Sequence, residues 1–357
     1  MIRDRVLFLS SNGVGLGHLS RQLAIATRLS AGVVPVFHTQ SYGIALVRQF
    51  GIAGLWHQHH ANNGLDIEDW NIALGLEVAA LEKRLEPSAI IVDSPVVFTG
   101  FGTVLQESTA QKIWVRRGFW PEQHRRFLEN ARWFDTIIEP ADLAQEFDAG
   151  PTTDQRSEVV SVPPVLLVNP YQRQPAHAAR RILDVQEASR VVALQLGNSF
   201  GDRTQALRQK LIDVLLDFPV EILDLKSPLE RSQNPITDTG RVKPVNIYPS
   251  FALSKAFDAF ITAPGYNSFH ECILGGMPTL FVPNTAPEMD RQDLRANWSV
   301  DKGLALSMDF DASQEEIRMK IGQLLSPEFA NQVSTRSDDV NWTNGALDIA
   351  ALLSKQQ

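Results

Sequence analysis

A single cysteine, Cys272, stands in 357 residues. That excludes an internal disulfide and a cysteine-built metal cluster, and it points to a reducing compartment, the cytoplasm. Long apolar runs are lacking too: none approaches the ~20 residues that a bilayer-crossing helix needs, although 44% of the chain is hydrophobic. Met1-Ile2-Arg3-Asp4 leads straight into a strand-like run, so no secretory leader is expected. There is no excess of positive charge. A formal net charge of −8 argues against nucleic acid as a partner, because a phosphate backbone calls for a basic face. A local basic patch can still act against the net charge, which leaves peripheral contact with the inner membrane face open. Short-period repeats and low-complexity segments are absent as well.

What the chain does contain is alternation. Strand-like runs at Val6–Ser10, Val33–His38, Ile90–Asp93, Lys112–Val115 and Thr136–Glu139 are separated by helical spacing, and Val191–Leu196, Glu221–Asp224, Phe257–Thr262 and Thr279–Pro283 repeat the habit. Such alternation predicts parallel sheets with crossover helices. The length suits two domains, since single cores stop growing near ~250–300 residues. The proline-rich passage Val162-Pro163-Pro164-Val165-Leu166-Leu167-Val168-Asn169-Pro170 reads as the linker.

Two glycine turns carry the chemistry. Arg5–Ser10 runs into Ser11-Asn12-Gly13-Val14-Gly15-Leu16-Gly17-His18, and Leu19, Leu23 and Ala26 then share a helix face. The glycines are spaced G-x-G-x-G, the strand Val33–Phe37 ends in His38-Thr39-Gln40 without an acidic residue, and no Gly-Lys-Ser/Thr follows. Neither a dinucleotide fingerprint nor a Walker loop fits. In the second half, Phe257–Thr262 leads through Ala263-Pro264-Gly265 to Tyr266-Asn267-Ser268-Phe269-His270-Glu271, with Asn267 or Ser268 as the expected helix cap. A helix start reached through a glycine turn offers backbone N–H groups and a positive dipole end to a diphosphate. Glu271, about a turn further in, suits a ribose diol. After Leu280–Pro283, Asp290 and Gln292 suit sugar hydroxyls.

This second segment, from about Val242 to Leu306, resembles the donor-binding signature of GT-B glycosyltransferases, the superfamily of the UDP-glycosyltransferases and of the N-acetylglucosaminyltransferase acting on the peptidoglycan lipid precursor. Gly15-Leu16-Gly17-His18-Leu19-Ser20-Arg21 resembles the Gly-x-Gly-His-x-x-Arg element that opens the acceptor domain of the same enzymes. The resemblance implies an α/β chain of two Rossmann-like, doubly wound parallel-sheet domains with a cleft between them. It divides the chain into an acceptor domain over 1–165, a donor domain over 166–340 and a terminal helix over 341–357 packing back on the first domain. It implies transfer of a hexose-type sugar from a nucleotide-diphosphate sugar, of which UDP is the commonest, to the hydroxyl of a small-molecule or lipid-linked acceptor. Transfer would be inverting, with no metal and no cofactor beyond the donor. Hydrolases and epimerases of the same fold, and a non-catalytic nucleotide-sugar binder, are the alternatives.

On this reading His18 is the general base, with Gly15, Gly17 and Arg21 on the acceptor side. A helix start disfavours the imidazolium and keeps the ring available as a base; the other role for His18 is to cap the helix or to hydrogen-bond in the cleft. Asp93, at the end of Ala89–Asp93, either fixes the imidazole tautomer or caps the next turn. Gly197 and Asn198, in Gln195-Leu196-Gly197-Asn198-Ser199-Phe200-Gly201, resemble the loop beneath the donor diphosphate, joining Gly265, Tyr266, Asn267, Ser268, Glu271, Asp290 and Gln292. Two departures from the family pattern are plain: Ala263 stands where many members have a phosphate-binding histidine, and Gln292 is followed by Asp293.

Other patterns read differently. Asp309-Phe310-Asp311 matches a metal-holding Asp-x-Asp, but Ser313 and Glu316 make it the lead-in to a helix with a capping box. His57, His59 and His60 lack a carboxylate-supported metal spacing and suit a surface or an acceptor loop. Lys112, Arg116, Arg117, Arg125 and Arg126, interleaved with Trp114, Phe119 and Trp120, form either a solvated face over partly buried aromatics or a site for an anionic or lipid-linked acceptor.

Overall fold

A computed structural model describes residues 4–11, 15–197, 202–229, 240–287 and 289–354. The chain divides into two compact units. One runs to Leu167 and takes up the chain again from Thr343; the other is Val168–Trp342.

The first unit is built on a seven-stranded sheet with β1 (Asp4–Ser10), β2 (Val33–Thr39), β3 (Ala53–Trp56), β4 (Ala89–Asp93), β5 (Gln111–Val115), β6 (Thr136–Pro140) and β7 (Val160–Val162). The strand order is β3-β2-β1-β4-β5-β6-β7, and every pairing is parallel. The chain winds outward from β1 to β3, then returns to β1's other side to begin again at β4. Loops leaving β1 and β4 therefore diverge, opening a crevice at their carboxyl ends, the place where open α/β sheets bind ligands. In register, Ser10 stands beside Asp93.

Residues buried on both faces account for the apolar strands. Phe8 and Phe37, cross-strand partners, stack with centroids 4.9 Å apart. On the opposite face, Leu7, Leu9, Ile90 and Val92 meet Trp70, Leu74, Val78 and Leu81 of the helix Ile67–Leu85. Those four recur at helical spacing and define one apolar stripe, each contributing roughly 1.5–3 kcal/mol by leaving water. Asp66 starts that helix by accepting the N–H groups of Glu68 and Asp69. The final helix, Gly345–Ser354, belongs to this unit. Asn344 fixes its entry: its amide donates to the Leu166 carbonyl (2.8 Å), and its oxygen accepts from Ala346 N–H (3.0 Å).

The second unit repeats the plan with β8 (Val191–Gln195), β9 (Glu221–Leu225), β10 (Val242–Val245), β11 (Ala259–Thr262), β12 (Thr279–Phe281) and β13 (Leu306–Ser307), in the order β10-β9-β8-β11-β12-β13, all parallel. Its turning point lies between β8 and β11, where Gln195 pairs with Thr262. The loops beginning at Leu196 and at Ala263 thus leave the same edge side by side. Leu194, Ile222, Ile261 and Leu280 form the core face with Leu211, Ile317 and Ile321.

Four strands were not expected: β3, β7, β10 and β13. All are short, and β10 carries Pro244, so none offers the apolar run by which a central strand is recognised. β7 takes in Val162, the first residue of the passage read as a linker. Among the described residues, no helix is long and apolar enough to cross a membrane.

Candidate active site

In the first unit the helix Gly17–Ala26 opens directly behind the β1 loop, with Leu16 at its N-cap and no side-chain cap. His18 is therefore the second residue of the first turn and does not cap it. Gly15 has open space where a Cβ would stand, and Gly17 has only Arg21 Nη1 at 4.0 Å. Gln22 pins the helix to the sheet by donating to the Leu9 carbonyl at 2.7 Å, a bond for which the sequence offers no signal.

His18 Nδ1 lies 2.7 Å from Asp93 Oδ1. Arg21, three residues along the same helix face, donates through Nε to Asp93 Oδ2 (2.9 Å) and through Nη2 to Oδ1 (2.6 Å). Both groups of this ion pair are buried. Asp93 spends its oxygens on Arg21 and His18 and does not cap the next turn; Ser94 does that, its hydroxyl accepting Val96 N–H at 3.2 Å. Arg21 was expected among acceptor contacts. It is buried and bonded to Asp93, since a buried carboxylate needs a compensating cation, and it lines the same small pocket as His18.

Electrostatics assign the tautomer. Burial works against the Asp93 charge, but Arg21 and His18 outweigh it and hold the carboxyl below its ordinary range. The His18 ring is shifted down as well: burial first, then Arg21 and Arg117, lower its pKa against the pull of Asp93. A neutral imidazole facing a carboxylate places its proton on Nδ1 and its lone pair on Nε2. Arg21 Nη2 also stands 3.0 Å from Nδ1, but the carboxylate is the stronger acceptor for both.

Ser94, Pro95, Val115, Arg116, Arg117 and Trp120 join His18 and Asp93 around a small pocket. The loop after β5 is held tightly. Phe119 adopts φ 61°, a conformation costly for a bulky side chain, and its N–H donates to Asp148 (3.1 Å), which also accepts from Arg156 (2.7 Å). Of the basic stretch, Arg116 is paired with Glu139, Lys112 with Asp135, and Arg125 with Glu122 and Asp154. Arg116 and Arg117 are the members that border the His18 pocket. Trp120 belongs to the basic and aromatic stretch read from sequence as a solvated face or an acceptor site; Ser94 was not assigned to the site, and only its place just beyond β4 pointed there.

In the second unit the helix Tyr266–Leu274 begins at Gly265 as N-cap, not at Asn267 or Ser268, which fall within its first turn. Its first intrahelical bond is Phe269 N–H to the Gly265 carbonyl, 2.8 Å. The Tyr266 ring is buried between His270 and Arg295, so only its backbone faces the helix start. Gly265 has ordinary φ −63°, and the nearest atom to an added Cβ is Gln292 Nε2 at 4.0 Å.

Gln292 and Gly265 are therefore neighbours. Gln292 Oε1 is committed to Asn284 N–H at 3.0 Å, leaving the amide nitrogen as the end turned toward Gly265. Asp290 departs from expectation: it is buried and ion-paired with Arg295, which also donates to the Pro264 carbonyl at 3.4 Å. A buried guanidinium demands a carboxylate, so Asp290 braces the glycine turn. Glu271 is half-buried, and desolvation pushes its carboxyl up to about 8. Gly197 is exposed just beyond β8; Asn198 lies outside the described residues. Asp311 pairs with exposed Arg203, and Ser313 caps the next helix through Glu316 N–H.

No protein-family model and no curated protein matches the sequence. Solved structures do. The glycotransferase of kitacinnamycin superposes with a TM-score of 0.69 at 16% identity, covering 99% of both chains. MurG of Acinetobacter baumannii gives 0.65 at 13%, covering 99% of this chain and 100% of its own. The spinosyn rhamnosyltransferase SpnG, complexed with thymidine diphosphate, gives 0.66 at 16%, covering 98% and 99%. Two parallel sheets wound in the same order, matched end to end by glycosyltransferase structures, establish that this chain has the GT-B fold.

Proposed function

We propose that the protein is a glycosyltransferase that moves a hexose-type sugar from a nucleoside-diphosphate donor to an acceptor hydroxyl. The observation that carries this reading is the buried Arg21–Asp93–His18 chain at the turning point of the first sheet, which leaves a neutral imidazole with its lone pair on Nε2. That nitrogen takes the proton of the acceptor hydroxyl as the oxygen attacks the anomeric carbon, so transfer inverts configuration. Asp93 holds the tautomer and stabilises the imidazolium that forms; Arg21 is a positioning residue, acting through Asp93.

The donor belongs to the second unit. Backbone N–H groups of the first helical turn, Tyr266 to Ser268, together with the helix dipole, meet the diphosphate and stabilise it as it leaves, without a metal at that position. Glu271 takes the ribose diol, and the Gln292 amide a sugar or phosphate oxygen. SpnG's complex with thymidine diphosphate supports a pyrimidine nucleotide, so both UDP- and dTDP-sugars are candidates. The acceptor is a small molecule or a lipid-linked one reached from the cytoplasm.

Incubation with UDP- and dTDP-sugars, with and without an acceptor extract, tests the reading. Nucleotide release that needs the extract supports transfer. Equal release without it makes water the nucleophile and the protein a hydrolase; binding with no release makes it a sensor.

A further inference from the structure

Away from the His18 pair, the first unit gathers two histidines and a carboxylate. His38 ends the apolar part of β2 and is fully buried. His57 follows β3, its N–H held by the Thr39 carbonyl at 3.0 Å. Glu77 projects from the helix Ile67–Leu85 toward both: Oε1 lies 3.1 Å from His38 Nε2, and Oε2 lies 2.8 Å from His57 Nδ1. The three donor atoms fall within 4.8 Å of one another. Ligands at zinc bond lengths in a tetrahedron stand roughly 3.3 Å apart, so the set needs little movement to share one ion. The carboxylate that the spacing of His57, His59 and His60 fails to supply comes from a helix some twenty residues on.

We propose that His38, His57 and Glu77 form a binding site for a divalent transition-metal ion of the zinc class, with a fourth position open to water. Two imidazoles and a carboxylate suit zinc, whereas calcium and magnesium call for an all-oxygen shell. The platform is rigid: His38 is paired in register with Leu9 of the central strand, and the Glu77 helix is anchored by Trp70 and Leu74. The Glu77 side chain is 39% exposed, which provides the entry path and the open position. Glu77 turns one carboxylate oxygen to each ring. Each ring would present a lone pair to the ion at the nitrogen that now faces Glu77.

His38 Nδ1 has no partner among the described residues, so the ring lacks the outer support usual for a metal histidine; affinity falls about 10–100-fold below fully supported sites. An ion would tie the histidine segment, where His59 and His60 pack on Trp70, to the helix.

The full-length protein, freed of metal by chelator and dialysed, is titrated with Zn²⁺ alone by calorimetry and with Co²⁺ by visible absorption. One ion per chain, cobalt bands of a four- or five-coordinate site and their loss on adding Zn²⁺ are expected. Glu77→Gln and His57→Ala should each weaken Zn²⁺ by more than about 100-fold, beyond the loss of an outer-shell group, while the metal-free proteins keep the parent circular dichroism. Should a variant not fold, imidazole ¹⁵N spectra of the unsubstituted protein decide: Zn²⁺ must shift His38 Nε2 and His57 Nδ1. No binding, binding that survives both substitutions, or unshifted nitrogens would overturn the site.

Discussion

Arg21 and Asp93 are joined by two parallel hydrogen bonds in the interior, and His18 reaches the same carboxylate from the same helix face. One cation thus keeps Asp93 ionised, and Asp93 in turn orders the imidazole. Arg21→Ala removes a positive neighbour that lowers the His18 pKa. Because the base works neutral, activity is lost as pH falls through that pKa. The acid limb of kcat/KM is therefore expected below the ordinary imidazole value of 6.5 in the parent and at higher pH in the variant. Stability should also drop, by about 3–5 kcal/mol, as for any buried pair losing one partner. A pH–rate profile unmoved by the substitution would show Arg21 to be structural only.

Glu271 supplies a pH test of opposite sense. Its folded pKa, about 8, stands above the unfolded 4.5. Between those values the folded state binds more protons than the unfolded, so stability falls with rising pH across that window. Glu271→Gln removes this penalty: its melting temperature should match the parent near pH 4.5 and exceed it at pH 8. A nucleotide whose ribose hydroxyls donate to the carboxylate should bind the parent more tightly as pH rises and release a proton near neutrality, seen as a buffer-dependent calorimetric enthalpy. Affinity independent of pH removes Glu271 from the ribose.

Two glycines separate function from packing. At Gly265 an added methyl meets nothing nearer than 4.0 Å, whereas at Gly100 it would lie 2.5 Å from the Asn71 carbonyl oxygen. Gly100→Ala should destabilise by about 1–3 kcal/mol, the cost of overpacking. Gly265→Ala should leave melting unchanged and weaken nucleoside-diphosphate binding, because the methyl occupies the approach to the helix start. Equal melting losses in both would make Gly265 a packing glycine.

Central strands and the helices that follow β1 and β11 were legible because apolar runs and helical spacing are local signals; the first glycine turn falls in part on residues 12–14, outside the described residues. The edge strands were not, since short segments such as Ala53–Trp56 and Leu306–Ser307 carry no periodicity. At the site, His18 and Asp93 were legible as the ends of neighbouring parallel strands and the start of a helix. The ion pairs of Arg21 with Asp93 and of Asp290 with Arg295, and the bond from Asn284 N–H to Gln292 Oε1, were not legible. A sequence marks a charged residue as available, and only the fold shows that burial commits it to a partner, as Arg295 commits Asp290. The His38–His57–Glu77 set is non-local altogether, joined by the register of β2 and β3 and one helix.

The most direct test is turnover of His18→Ala at saturating donor, with nucleotide affinity measured alongside. Loss of the general base predicts a fall in kcat of about 10²–10⁴-fold, with the dissociation constant of the nucleoside diphosphate unchanged, because the proposed donor contacts belong to the second unit. Full turnover in the variant, or donor binding abolished with turnover of the bound complex preserved, would contradict the account and make His18 a ligand of the substrate instead of its base.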